Sequence, residues 1–158
     1  MPQNIINQLG ELAIGARMRR LYDILSKDVM KIYEDNGLDF ETRHFPLFYL
    51  VSRRDGISIM EIAEELSLSH PAVIHLAKEL EKRGYIESVK SPDDNRKRLL
   101  RLAKKGKKSL PAFQLVWDKI ARLNKKLIQS RQHNLLKALE EMEELLEAQS
   151  YYKRFEKF

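Results

Sequence analysis

The chain of 158 residues contains no cysteine at all. Its absence excludes disulfides, thiolate metal sites, iron–sulfur ligation and cysteine nucleophiles, and an intracellular, cytoplasmic protein fits such a chain best. The longest apolar stretch, residues 45–51, is far shorter than the roughly 20 residues of a membrane-spanning helix, so we expect no membrane partner. Six glycines and five prolines are too few for a collagen-like or disordered chain.

The sequence also lacks the constellations on which enzymes depend. It has no Gly-rich phosphate-binding loop and no paired nucleophile and base. His44, His70 and His133 do not have the spacing of metal ligands. We therefore expect no catalytic activity, no metal and no cofactor.

Positive charge is concentrated in one segment. Lys and Arg number 29 against 23 for Asp and Glu, and eleven of these basic residues but only three of the acidic ones lie between Lys82 and Lys108. Segregation of this kind suits a polyanion such as nucleic acid. A solvated basic surface without a partner is the alternative that charge alone leaves open.

The amino-terminal third of the chain has the spacing of amphipathic helices. Apolar residues three and four positions apart predict a long helix over 9–32, which Asn36-Gly37 should end because both residues tolerate a left-handed conformation. A second, buried helix is predicted over 42–53, with Pro46 in its first turn.

The middle of the chain carries the clearest local signals. Ser58 and Glu61 form a predicted capping box at the start of a short helix, flanked by an Ile57–Ile62 hydrophobic staple. Ser69 should cap a further helix with a proline in its first turn, and Gly84 should stop it. Two extended runs follow, over 85–89 and 98–102, with a hairpin loop between them. This order is typical of a winged helix-turn-helix, so the predicted class is mainly α with a small antiparallel β-hairpin wing.

The second of these helices has two faces. Val73, Leu76, Ala77 and Leu80 share the inward face. The candidate DNA-binding residues share its exposed start and outward face: Ser69, His70, Pro71, Ala72, His75, Lys78 and Lys82. Small polar or cationic side chains at the amino end of such a helix can reach base edges in the major groove, and lysines can bind phosphates. For His75, a merely solvated ring is the alternative.

The hairpin loop contains Asp94 and Arg96, two residues apart. A carboxylate at that spacing can hold a guanidinium in a fork and direct it into a narrow groove of strong negative potential. An exposed loop salt bridge without a ligand is the alternative. Lys97, Arg98 and Arg101 complete the candidate DNA-binding residues of the wing, and the two arginines are expected to bind phosphates.

Several motifs resemble those of the MarR family of bacterial transcription regulators. They are Ile-Ala-Glu-Glu-Leu at 62–66, Leu-Glu-Lys-Arg-Gly-Tyr-Ile at 80–86, and Asp94-Asn95-Arg96 followed by Leu102 and Gly106. The resemblance implies a triangular homodimer with interlocked terminal helices and wing tips in the minor groove. Ala103 departs from the pattern, because many relatives have a threonine there that would cap the next helix.

The carboxyl-terminal helices are predicted over 110–127, with the regular part only after Pro111, and over 135–146. Their apolar faces, with those of the first helix and the tail 151–155, need a partner chain. The predicted organisation is an amino-terminal dimerisation helix (1–37), a winged helix-turn-helix region (38–108) and carboxy-terminal dimerisation helices (109–158), intertwined as one domain.

Four aromatic residues are candidates for a ligand cavity: Phe45, Phe48, Tyr49 and Trp117. In relatives, small aromatic or phenolic effectors bind between the dimer helices and the DNA-reading region. Core packing is the stronger alternative, because aromatic residues at helical spacing normally fill space.

The predicted function is that of a sequence-specific double-stranded DNA-binding regulator, a homodimer that represses at a palindromic operator, with a small aromatic effector relieving repression. The alternative is a non-catalytic protein-interaction module that kept the fold and lost DNA binding. The basic residues of the wing oppose this alternative.

Overall fold

Helices dominate the computed structural model, which describes residues 4–92 and 97–157. The chain divides into two units, residues 1–116 and 117–158. The predicted class is confirmed: the first unit is helical with one small antiparallel sheet. None of the helices in the described ranges combines the length and apolar character that a membrane crossing requires.

The amino-terminal helix is interrupted where one continuous helix was predicted. α1 (Ile5–Gln8) is followed by a 3-10 turn (Gly10–Ala13) and then by α2 (Ile14–Asp35). Gly10 has a φ of +53°, a left-handed conformation that ends regular helix. The end of α2 is as predicted: Gly37 has a φ of +69°, and the Leu38 N–H donates to the Tyr33 carbonyl at 2.9 Å.

The winged region follows in the predicted order. A 3-10 turn (Thr42–His44) leads into α3 (Phe45–Arg53), and then come β1 (Ile57–Ser58), α4 (Ile59–Glu65), α5 (His70–Lys82), β2 (Ile86–Lys90) and β3 (Arg98–Leu102). The sheet has the antiparallel order β1-β3-β2. β1 was not predicted, because a strand of two residues has no periodicity to detect.

The long helix α6 (Lys104–Gln129) passes through Pro111, so the prediction that its regular part begins after that proline was wrong. An internal proline costs a helix about 3 kcal/mol. Burial of Gly106 before Pro111 and of Phe113 and Val116 after it anchors α6 on both sides of the proline and offsets this cost.

The residue before α6 is held by main-chain hydrogen bonds. Position 103 is an alanine, whose N–H donates to the Tyr85 carbonyl at 3.0 Å and whose carbonyl accepts the Lys107 N–H at 2.9 Å, the first hydrogen bond of the helix. The first turn of α6 is thereby tied to the residue that precedes β2.

An aromatic cluster forms the core of the first unit. Its members are five buried rings, one each from α2, the loop after α2, α3, the residue before β2, and α6. In that order they are Tyr33, Phe40, Phe48, Tyr85 and Phe113. The centroids of neighbouring rings lie 4.7 to 5.8 Å apart, mostly edge to face, the arrangement that aromatic quadrupoles favour.

The second unit contains the end of α6 together with α7 (Leu135–Ala148) and α8 (Tyr151–Phe155). Asn134 caps α7 by accepting the Lys137 N–H at 3.2 Å, and Ser150 caps α8 by accepting the Lys153 N–H at 3.4 Å. These local caps fix both helix starts.

Gly106 lies where α6 comes close to the main chain at Tyr85, just before β2, and a substitution there tests this contact. A Cβ at this position would lie 2.0 Å from the Tyr85 carbonyl oxygen. We expect Gly106→Ala to lower the free energy of unfolding by about 2 kcal/mol or more, although alanine is the better helix former. Urea denaturation measures the change.

Gly15→Ala is the matched control, because Gly15 also lies in a helix and nothing stands within 4 Å of its added Cβ. It should be neutral or stabilising by up to about 1 kcal/mol. Equal effects of the two substitutions would contradict the close contact at Gly106.

Candidate nucleic-acid interface

The helix-turn-helix begins at the predicted capping box. The Ser58 hydroxyl oxygen accepts the Glu61 N–H at 3.2 Å, and the Ser58 N–H donates to the Glu61 carboxylate at 2.9 Å. The hydroxyl also donates to that carboxylate at 2.6 Å. These hydrogen bonds from Ser58 lower the pKa of Glu61, so the box is held most firmly by the ionised carboxylate.

A tight turn joins α4 to α5. Ser67 has a φ of +51° and is the only non-glycine residue with positive φ in the described ranges. The Leu68 N–H donates to the Ala63 carbonyl at 3.0 Å, which closes α4. The Ser69 hydroxyl oxygen accepts the Ala72 N–H at 3.4 Å and starts α5, as predicted.

The predicted faces of α5 are close to those observed. Val73, Ala77 and Leu80 are buried and Leu76 is half-buried. The outward candidates are exposed, except for the half-buried Ala72: Ser69, His70, Pro71, His75, Lys78 and Lys82. One continuous outward face of α5 therefore carries imidazole, hydroxyl and ammonium groups.

The wing is a β2–β3 hairpin. The Ser91 N–H donates to the Lys97 carbonyl at 2.9 Å at its outer end. The predicted Asp94–Arg96 fork lies outside the described residues and stays a prediction. Lys97 and Arg98 are exposed.

The two arginines of β3 have partners that sequence reasoning missed. Arg98 donates from Nε to the Ser88 hydroxyl at 3.0 Å and from Nη2 to the Ser88 carbonyl at 3.1 Å. Arg101 donates from Nε to the Glu87 carboxylate at 2.8 Å, directly across the ladder. The register of two paired strands determines which side chains lie close together. Pairing β2 with β3 outward from the hairpin loop would therefore have predicted these contacts. Arg101 therefore offers less free charge to a phosphate than Arg98 does.

A groove of about 700 Å³ separates the wing from the helix-turn-helix. Its lining brings together the start of α5 at His70, the wing residues Lys97 and Arg98, and the cap of α4 at Ser58 and Glu61. Three of the sequence-predicted residues thus border one concave surface.

Glu79, on α5, is a charged centre that the sequence did not reveal. Its carboxylate lies 2.9 Å from Arg43 Nη2, 2.9 Å from His44 Nε2 and 3.4 Å from His75 Nε2. The hydrogen bond from His44 and, to a smaller degree, the charge of Arg43 lower the pKa of Glu79. Only the His75 contact, at i and i+4, was visible as a sequence signal.

The aromatic ligand candidates do not share one environment. Phe48 is fully buried in the aromatic cluster, so the core-packing alternative describes it. Phe45 and Tyr49 stack along α3 with centroids 5.6 Å apart, and Arg53 lies over the Tyr49 ring at 5.1 Å. Trp117 belongs to the second unit. A search of the described residues for three or more His, Asp or Glu side chains that could hold a metal finds no such group.

Comparisons with known proteins agree with this geometry. A model of the MarR family matches residues 37–97. The structure is similar to the transcriptional repressor CouR bound to a 23-mer DNA duplex, with a TM-score of 0.66 and 26% identity over 85% of this chain and 96% of that one. A comparison with curated proteins finds no match.

Two more distant structures share the fold. FabT of Streptococcus pneumoniae, in complex with DNA, gives a TM-score of 0.64 at 20% identity, covering 85% of this chain and 96% of that one. The PcaV transcriptional regulator of Streptomyces coelicolor, in complex with its natural ligand, gives 0.63 at 17% identity, covering 87% and 93%.

Fold and surface together define a winged helix-turn-helix protein. Its segment 37–97 matches the model of the MarR family, and the resemblance found in the sequence motifs is thereby confirmed.

The capping box predicts a specific pH dependence. Because the pKa of Glu61 is lowered from 4.5 in the folded chain, its ionised form stabilises the fold above that pH, and the contribution is lost as pH falls through the folded pKa. Ser58→Ala should lower the free energy of unfolding by about 1 kcal/mol at pH 7, and by less at pH 3.5. Urea denaturation at both pH values measures the difference.

Ser52→Ala is the control, because the Ser52 hydroxyl donates to the Tyr49 carbonyl at 2.6 Å and to no acid. Its effect should not vary with pH. An equally large Ser58→Ala effect at both pH values would be evidence against the role assigned to Glu61.

Proposed function

We propose that this chain is a homodimeric, sequence-specific DNA-binding regulator that acts as a repressor in the cytoplasm. The observation that carries the proposal is the shared concave surface at which the start of α5, through His70, meets Lys97 and Arg98 of the wing. Lys97 and Arg98 supply positive charge on the wing side of this groove, which suits the phosphate backbone of a duplex, while Glu61 and Glu64 line it from α4.

In this proposal α5 enters the major groove, which admits a helix. Ser69, His70, Pro71, Ala72 and His75 lie at its start and outward face, where short side chains approach base edges. The exposed ammonium groups of Lys78 and Lys82 bind phosphates further along, which fixes register without reading sequence.

The wing enters the adjacent minor groove. Asp94 directs Arg96, and Arg96 is the inserted cation. Lys97 and Arg98 bind the flanking phosphates. Because Ser88 already orients the Arg98 guanidinium, little side-chain entropy is lost when Arg98 contacts the backbone.

A second copy of the chain covers the exposed apolar surfaces. On α2 and just before it, exposed residues include Leu12, Met18, Leu21, Tyr22, Ile24 and Leu25. In the second unit they include Leu123, Leu127, Leu145, Tyr151, Tyr152 and Phe155. Exposed apolar faces of this kind are typical of protein–protein interfaces. Segments 1–37 and 109–158 form the dimer in this proposal, and 38–108 reads DNA.

A small aromatic effector relieves repression in the same proposal. The partly exposed Phe45 and Tyr49 are the first candidates for binding it, and Phe48 and Trp117 are the remaining candidates from the sequence. The structurally similar PcaV regulator, which is in complex with its natural ligand, supports the proposal of a small-molecule effector. Linkage requires the effector to favour the dimer that does not bind DNA.

Selection of bound sequences from a random duplex pool with the purified protein tests the proposal. We expect a palindromic consensus with half-sites about one helical turn apart, because a two-fold symmetric dimer reads the same half-site twice. Absence of any enriched sequence would instead favour the protein-interaction module.

The wing and α5 should contribute in different ways to binding of the selected duplex. Arg96→Ala should weaken binding by about 1–3 kcal/mol while leaving folding intact. Lys78→Ala should reduce the slope of log affinity against log salt by about one. Fluorescence anisotropy over a salt series measures both effects.

Lys137→Ala is the control, because Lys137 is exposed on α7 and belongs neither to the candidate DNA-binding residues nor to the apolar residues of the proposed dimer, so it should leave affinity and slope unchanged. Wild-type affinity of the Arg96→Ala protein at moderate salt would refute the assignment of the wing.

A further inference from the structure

Glu79 holds α5 through side-chain contacts with the segment that leaves α2. The Glu79 carboxylate is three-quarters buried, and each oxygen has a separate partner: Oε1 accepts from Arg43 Nη2 and Oε2 pairs with His44 Nε2, both at 2.9 Å. Charge-assisted hydrogen bonds of this length are the strong kind. Both partners belong to the 3-10 turn at Thr42–His44.

A second set of ion pairs ties the end of α5 to the same segment. Arg83 donates from Nη1 to Asp39 Oδ1 at 2.6 Å and from Nη2 to Glu41. Arg43 Nε in turn lies 2.9 Å from Glu41 Oε2. We call Asp39, Glu41, Arg43, His44, Glu79 and Arg83 the helix clasp. The clasp begins two residues after Gly37, where the stop of α2 ends.

His44 is an unusual choice for a buried position if stability alone mattered. Its side chain is 0% exposed, and Nδ1 has no hydrogen-bond partner among the described residues. A buried polar atom left unpaired destabilises a fold, and an apolar side chain of similar volume would avoid that loss. What His44 supplies is a directional N–H to Glu79.

The apolar face of α5 does not by itself fix the rotation of the helix about its axis. Val73, Ala77 and Leu80 hold the helix by burial, which is a non-directional interaction. Hydrogen bonds are angle-dependent, and the clasp therefore selects one rotation. On α5, His75 and Lys78 precede Glu79 and Lys82 follows it, and each lies within about one helical turn of Glu79.

We propose that Glu79 is a positioning residue for DNA reading: by pairing with His44 and Arg43 it fixes the rotation of α5 relative to the segment leaving α2. The inference rests on the proposed DNA-binding function. In this proposal Glu79 acts on the position of α5 and makes no contact with DNA itself.

The sign of the Glu79→Gln effect separates positioning from simple electrostatics. Removing a negative charge beside a polyanion tightens binding if charge alone matters. Positioning predicts the opposite: affinity for the selected duplex about tenfold weaker, in the usual range of coupling between sites. Glu81→Gln is the matched control, because it removes the same charge from the same helix outside the clasp, and should leave affinity unchanged or slightly higher.

Two further readouts distinguish positioning from damage to the fold. Affinity for a scrambled duplex should be unchanged or slightly higher in Glu79→Gln, as in Glu81→Gln, because non-specific binding depends on charge and not on the rotation of α5. The salt slope should also be that of the wild type. Arg43→Gln, at a side chain 47% exposed, removes the clasp contacts with Glu79 and Glu41 but leaves the Glu79–His44 pair and the core in place, and should show a smaller loss of the same sign.

Equal or tighter binding of the selected duplex by Glu79→Gln would overturn the inference. So would an equal loss on selected and scrambled duplexes, or an Arg43→Gln protein with wild-type affinity. Failure of the wild-type protein to enrich any sequence would instead refute the proposed function, and the inference with it, before any variant is compared.

Discussion

One aromatic cluster joins the base of the wing to α3 and α6, and the position of the candidate surface depends on it. Phe40, Phe48, Tyr85 and Phe113 meet edge to face and join the loop after α2, α3, the start of β2 and α6. Because Tyr85 directly precedes β2 and its carbonyl accepts the Ala103 N–H, the base of the wing is set by the same cluster. A close-packed protein interior transmits a displacement of one element to the elements packed against it.

The reading helix is held in two physically different ways. The apolar face of α5 packs on the core. The carboxyl end of α5 is tied by Glu79 and Arg83 to the segment that follows α2. Burial supplies most of the free energy, whereas the ion pairs supply direction. This division matters for a DNA-binding protein, because base edges are read by hydrogen bonds that tolerate little angular error.

Local chemistry made much of the winged region predictable. The Ser58–Glu61 capping box, the Ser69 cap and the Gly84 stop act within five residues of chain, so the sequence contains both partners of each interaction. The exposed face of α5 followed from helical period alone. The Asp94–Arg96 fork and the effector candidates are of another kind, since their roles depend on a duplex, a ligand or a second chain, and they stay predictions.

The amino-acid sequence by itself determined where α4 and α5 begin, where α5 ends, which face of α5 is outward, and which family segment 37–97 resembles. Only the tertiary structure decided that α6 continues through Pro111, that β1 joins the sheet, and that Glu79 meets Arg43 and His44 more than thirty residues earlier in the chain. The physical reason is separation along the chain: caps and stops are satisfied by near neighbours, whereas these features exist only once the core has brought distant segments together.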